Sequence, residues 1–202
     1  MKLLLFSDLH CDVQKAEHLV ERAPAFDVVV GAGDFACARL DIERTIDILQ
    51  AISRPTVLVP GNNESYEELQ AACRGWPGVH LLHGSGVEIE GISFFGLGGG
   101  VPVTPFGSWS YDFSDEEAEE LLANCPASGV LVSHSPPHGA VDVSADGQHI
   151  GSLTVRKTIE NQHPLLVVCG HIHDCSGQHT FIGETPIVNA GPDGVMWELS
   201  GS

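Results

Sequence analysis

Lys2-Leu3-Leu4-Leu5-Phe6-Ser7-Asp8-Leu9-His10 decides the reading of this chain. Its apolar run stops at Ser7-Asp8, short of the roughly 7 to 15 residues of a secretory leader core and of the ~18 of a membrane span. It reads as a buried β-strand that hands over to an acid and an imidazole. The same arrangement recurs along the 202 residues: runs rich in Val, Ile and Leu at 2–7, 27–31, 56–60, 129–133 and 165–170 each give way within a few residues to Asp, Asn or His. Amphipathic stretches at 13–22, 41–51, 65–72, 115–123 and 153–161 lie between them, the fourth opened by a Ser114/Glu117 capping pattern. Such alternation predicts β-α units around a buried sheet. At 79–97 and 178–199 the runs shorten and turn residues cluster, which predicts hairpins and an antiparallel component. The expected fold is α/β, a four-layer α/β/β/α sandwich of mixed sheets in one domain over residues 1–202.

Acids outnumber bases 27 to 9, a formal charge of −18, and Arg156 and Lys157 are the only bases after Val101. Such a surface repels polyanions, so neither a long nucleic acid nor a membrane is expected as a partner. The 43% of hydrophobic residues suffices for a large core and excludes a disordered chain. Six cysteines (Cys11, Cys37, Cys73, Cys125, Cys169, Cys175) form neither a C-x-x-C pair nor a dense framework, which points to buried thiols and a reducing cytoplasm. The segment 98–111, with Gly98-Gly99-Gly100, Phe106 and Trp109, is open to three readings: a lid, a contact in a homo-oligomer, or an ordered excursion.

The polar residues collect where strands end: Asp8 and His10, then Gly33-Asp34, Gly61-Asn62-Asn63-Glu64, His134, and His171 with His173. Ligands of open α/β sheets bind beyond the carboxyl ends of parallel strands, so these groups are expected to converge on one crevice. Strand alternation would put Asp8 with His10, and His171 with His173, on the same side. Two carboxylates, one amide oxygen and four imidazoles are too many for one ion. They suit two divalent ions with a bridging carboxylate, Mn first, with Fe, Zn, Ni or Co of similar preference.

The blocks D-x-H, G-D, G-N-x-[DE], H and G-H-x-H, spanning Asp8 to His173, resemble the calcineurin-like metallophosphoesterases. His134-Ser135-Pro136-Pro137-His138-Gly139 and Val188-Asn189-Ala190-Gly191-Pro192 look like loops of its small microbial members. The resemblance implies the same sandwich, one ion on Asp8, His10, Asp34 and His173, another on Asp34, Asn62, His134 and His171, and Asp34 bridging. It also implies in-line attack on a small phosphate ester by a hydroxide shared between the ions. Cys37 stands where the purple acid phosphatase branch carries a ligating Tyr, which disfavours that branch.

One position departs from the pattern. The family's usual His after the metal-binding Asn is Asn63 here, and an amide cannot deliver a proton near neutral pH. Asn63 and His138, the latter just past a ligand, are the candidate catalytic residues beside the metals. Glu64 reads as a partner orienting a ligand His, and His149 is left open between lining the cleft and capping the next helix. The expected activity is hydrolysis of a small phosphodiester or nucleotide-like ester. The alternatives are a phosphomonoesterase and a metal-binding scaffold that has lost turnover.

Overall fold

The computed structural model describes residues 1–199. In chain order the elements are β1 (Lys2–Phe6), α1 (Val13–Arg22), β2 (Val28–Gly31), α2 (Glu43–Leu49), β3 (Thr56–Leu58), α3 (Tyr66–Ala72), β4 (Val79–Leu81), β5 (Ser85–Ile89) and β6 (Ile92–Leu97). They continue with α4 (Asp115–Leu122), β7 (Val130–Ser133), α5 (Leu153–Gln162), β8 (Leu166–Cys169), β9 (His179–Ile182), β10 (Thr185–Asn189) and β11 (Val195–Glu198). One sheet runs β11-β1-β2-β3-β4 and the other β5-β6-β7-β8-β10-β9. The central strands of both are parallel, while β11, β5 and β9 are antiparallel edges.

The pleat of β1 sorts its apolar run between two cores. Leu4 and Phe6 face α1, α2 and α3 with Val29, Leu19, Ile46 and Leu69; Leu3 and Leu5 face the second sheet with Val28, Val30, Phe94, Val132 and Val168. The far side of the second sheet, Phe95, Leu131 and Val167, packs on Ala118 and Leu122 of α4 and Val155 and Ile159 of α5. A strand buried on both faces is therefore continuously apolar, and the result is four layers, as expected. The Ser114/Glu117 capping box at α4 forms as its sequence predicts, with a second one at Ser65/Glu68.

One expectation is corrected. β4 lies in the segment expected to be antiparallel, yet Val79 pairs with Thr56 in parallel register in the first sheet. The helix α3 between β3 and β4 makes a crossover, and a crossover returns the chain parallel. The antiparallel hairpin begins only at β5, after the chain has changed sheets.

Phe94 is fully buried between the sheets. Phe94→Ala is expected to cost about 3–5 kcal/mol, read as a lower urea midpoint at unchanged slope.

Candidate metal centre

All five parallel strand ends that carry the motif residues open on one rim. The loops after β1 and β2 are zipped by Asp8 N–H to Gly33 O at 2.9 Å and His10 N–H to Asp34 O at 3.0 Å. Across the sandwich, His134 Nδ1 lies 2.7 Å from Ala32 O, and Gly170 N–H donates to His134 O at 3.0 Å. These bonds bring both sheets to one centre.

The convergence does not arise from strand alternation. Asp8 (φ 57), His10 (φ 43), Asp34 (φ 59) and His171 (φ 68) occupy the left-handed region, so tight turns beyond the strands aim them. Four non-glycine residues held there mark a region where packing overrides backbone preference. The motif glycines serve close approach instead. A Cβ on Gly61 would fall onto the Asp34 carboxylate, and one on Gly170 would sit 2.5 Å from Asp8 Oδ2.

Ligand atoms of Asp8, His10, Asp34 and His173 all lie within 4.8 Å of one another, and Asp34 also groups with His134 and His171 in the same way. Asp34 thus belongs to both clusters. His10 Nε2 is 3.4 Å from its Oδ2 and His134 Nε2 is 3.4 Å from its Oδ1. Asn62, the seventh expected ligand, points its Oδ1 to within 3.2 Å of His134 Nε2.

That last contact tests whether a cation fits. His134 Nδ1 is committed as a donor to Ala32 O, which leaves a lone pair on Nε2; the Asn62 amide donates to Ser110 Oγ at 2.9 Å, which leaves its oxygen facing that lone pair. Two acceptors pointed at each other want a cation between them. His10 Nε2 and His173 Nε2, 3.0 Å apart, share at most one proton and make the same demand. A mixed N/O donor set without thiolate suits a borderline divalent metal.

The surrounding residues hold this arrangement. Asp8 accepts from Ser7 Oγ at 2.5 Å and from His171 N–H at 2.9 Å, and Ser7 is held in turn by Gly191 N–H at 2.9 Å. Glu64 is fully buried and accepts from three backbone N–H groups, those of Asp34, Ala36 and Gly61, at 2.6–2.9 Å. It therefore orients the Asp34 backbone and not, as its place in the motif suggests, a histidine. Burial, then the Asp34 charge, push its carboxyl up to about 7 against the backbone donors. Asn63 donates from Nδ2 to Asp34 Oδ2 at 2.7 Å and accepts from Ala38 N–H at 2.7 Å, so both ends of its amide are engaged.

Segment 98–111 is tied to the centre. Tyr111 N–H donates to Asn62 O at 2.9 Å, and Ser110, which receives the Asn62 amide, donates to Asp112 Oδ1 at 2.7 Å. Ser110 and Asp112 carry no motif signal, because Ser110 acts on the candidate ligand Asn62, 48 residues away, and Asp112 acts through Ser110. Phe106 reaches two adjoining cavities that also share Ile150 and His171: one of about 320 Å³ over His10, Asp34 and His173, and one of about 440 Å³ walled by Val101, Val103, Leu153, His138 and His149. His138 thus lines the larger cavity. His149 does too, and α5 is capped by Ser152 instead.

The fold and the centre define a phosphoesterase architecture, and the family model of the calcineurin-like phosphoesterases matches residues 1–175. The chain belongs to that family, and it is a metal-dependent phosphoric ester hydrolase of a dimetal-dependent class. Among solved structures, TT1561 of Thermus thermophilus is 21% identical with a TM-score of 0.75, over 95% of this chain and 90% of that one. Phosphopantetheinyl hydrolase from Mycobacterium tuberculosis is 17% identical at 0.60, over 94% and 88%, and a dimetal phosphatase from Danio rerio is 15% identical at 0.59, over 94% and 86%. At these identities the likeness is one of fold. No curated protein matches the chain. Among the described residues, no helix is long and apolar enough to cross a membrane.

Burial, then the neighbouring imidazoles, hold His171 well below the usual histidine range, and burial likewise lowers His10 against the pull of Asp8. Burial, then Asp8, hold Asp34 well above the carboxylate range. By neutral pH these two imidazoles have therefore shed their protons while Asp34 keeps its own longer. In the metal-free chain the raised Asp34 favours the fold at low pH, and that contribution is lost as pH rises through its folded value. Cation uptake favours the deprotonated Asp34 carboxylate, so it strengthens with pH. The rise in melting temperature on adding Mn is expected to be larger at about pH 8 than at about pH 6, with proton release seen as a buffer-dependent heat in calorimetry.

Proposed function

We propose that the chain binds two divalent cations, one on Asp8, His10, Asp34 and His173 and one on Asp34, Asn62, His134 and His171, and hydrolyses a small phosphodiester or nucleotide-like ester. The observation that carries this is the membership of Asp34 in both clusters, in each of which a ring nitrogen is set against another acceptor atom: His10 Nε2 against His173 Nε2, and His134 Nε2 against Asn62 Oδ1. Mn is the first candidate, and Fe, Zn, Ni and Co also suit a mixed N/O donor set. Two cations held there supply Lewis-acid activation of water and neutralise phosphoryl charge. Asp8 and Asp34 provide the negative charge that retains the cations. Asn62 adds a neutral oxygen, Glu64 fixes the Asp34 turn, and Asn63 steadies the Asp34 carboxylate.

The walls favour a diester over a monoester. Neither cavity is lined by Lys or Arg among the described residues, so nothing beyond the centre clamps a dianion, whereas a monoanionic diester needs less. Their apolar lining also offers room for an organic substituent. The six unpaired thiols suit the reducing cytoplasm expected from sequence.

Metal analysis of the purified protein, followed by a panel of bis-aryl phosphates, mono-aryl phosphates and nucleotides with Mn added, tests the reading. Two metal equivalents and faster turnover of bis-aryl esters are expected. Faster turnover of mono-aryl esters would support the monoesterase alternative, and substoichiometric metal without hydrolysis the scaffold alternative. Asp34→Asn is expected to lose both metals and to lower kcat by more than the roughly 10- to 100-fold typical of changes outside the ligand set.

A further inference from the structure

The larger of the two adjoining cavities is lined by His149, and behind it lies Asp142, a pair that the metal centre does not use. Asp142 is fully buried, and both its oxygens are engaged: Oδ1 meets His149 Nδ1 at 2.6 Å, and Oδ2 accepts from Gly139 N–H at 2.9 Å and Gly151 N–H at 3.0 Å. Burial raises this carboxyl, but His149 and the two backbone donors outweigh it and leave the group below its ordinary range, hence ionised. An ionised acceptor on Nδ1 fixes that nitrogen as the protonated one and turns Nε2 outward. His149 itself is half-exposed on the cavity wall. It is presented by a short hairpin in which Val143 pairs with His149 and Ile150 N–H donates to Asp142 O at 3.1 Å. An imidazole oriented by a buried carboxylate and open on its far nitrogen is the arrangement that general acid–base chemistry requires.

The position after the ligand Asn62 carries no imidazole, and Asn63 is occupied on Asp34 and Ala38. The cavity beside the centre shares Phe106, Ile150 and His171 with the space over the metal ligands, and Val101, Val103 and Leu153 give its far side an apolar lining. Resting on the function proposed above, we propose that this cavity takes the apolar organic group that leaves phosphorus, and that His149, held by Asp142, protonates it. As water's oxygen bonds to phosphorus and the P–O bond to the leaving group breaks, the Nε2 proton of the His149 imidazolium passes to the departing alkoxide, which leaves as a neutral alcohol. The proton lost by the attacking water goes to solvent, and His149 regains one from solvent, so the sum is diester plus water giving alcohol and phosphate monoester. His138, whose ring centroid is 5.7 Å from that of His149, faces the same space but meets no carboxylate among the hydrogen bonds of the described residues. His149 is therefore the donor and His138 a wall.

Two symmetric diesters separate the roles: bis(p-nitrophenyl) phosphate, whose leaving group needs no proton, and dibenzyl phosphate, whose alkoxide does. With Mn-loaded protein, His149→Gln is expected to lower kcat on dibenzyl phosphate by about 10²- to 10⁴-fold while holding bis(p-nitrophenyl) phosphate within about threefold. KM for both should stay put. Leu153→Ser is expected to raise KM for dibenzyl phosphate about fivefold. Asp142→Asn, a change at a positioning residue, should reproduce the selective kcat loss and shift the His149 tautomer seen by ¹⁵N NMR in the metal-free protein, a readout independent of turnover. Equal losses on both esters, no loss on either, or a selective loss in His138→Ala instead would each overturn the assignment to His149, and an unchanged KM in Leu153→Ser would overturn the leaving-group cavity. Wild-type protein that carries two metals yet cleaves neither ester would overturn the proposed function itself.

Discussion

A carboxylate taken out of water must be given compensating charge or donors, and Asp34 is 2% exposed. The local chain is organised around that requirement. The backbone N–H and the amide of Asn63 reach its two oxygens, Glu64 pins its own N–H, and Gly61 surrenders a side chain so that the loop after β3 can touch it. Both oxygens also face imidazole nitrogens, Nε2 of His10 and Nε2 of His134, each 3.4 Å away, which is the setting in which a cation would complete the compensation. Strained turns at Asp8, His10, Asp34 and His171 are the backbone's share of the same demand.

Much of this is legible in sequence, for reasons that differ by element. The strands are readable because double-sided burial makes them continuously apolar, as Leu3-Leu4-Leu5-Phe6 shows. The candidate ligand set is readable because strand ends of parallel sheets face a common rim, so that order along the chain implies neighbourhood in space. Local geometry is not. Pleat alternation would align Asp8 with His10, yet both lie past the last strand residue in left-handed turns, where the two-residue period no longer applies. β4 misleads because its three residues carry too little pattern to outweigh the turn-rich surroundings, and only the preceding helix decides its direction.

The supporting residues are illegible for a further reason. Asp112, Ser110 and Asp142 are ordinary polar residues in loop segments, and the sequence leaves even His149 open between two places; their meaning comes from partners brought by tertiary folding. A seven-residue gap between Asp142 and His149 says nothing by itself. Their pairing exists because the hairpin closes and because Gly139 and Gly151 donate to the other carboxylate oxygen. Asn63 is the reverse case: its identity suggests a loss of chemistry, and the structure shows it absorbed into the scaffold of Asp34.

The chain of hydrogen bonds from Asp112 through Ser110 to Asn62 has a thermodynamic corollary. The same loop presents Phe106 to both cavities, so a molecule resting on Phe106 and a cation on the proposed ligand Asn62 would act on one loop. Linkage between two ligands of one element is reciprocal: if occupancy of the cleft steadies Ser110, cation affinity rises by the same factor by which the cation improves occupancy. Selection on loop 98–111 for fit to a substrate would then also be selection on how firmly the proposed centre keeps its metal.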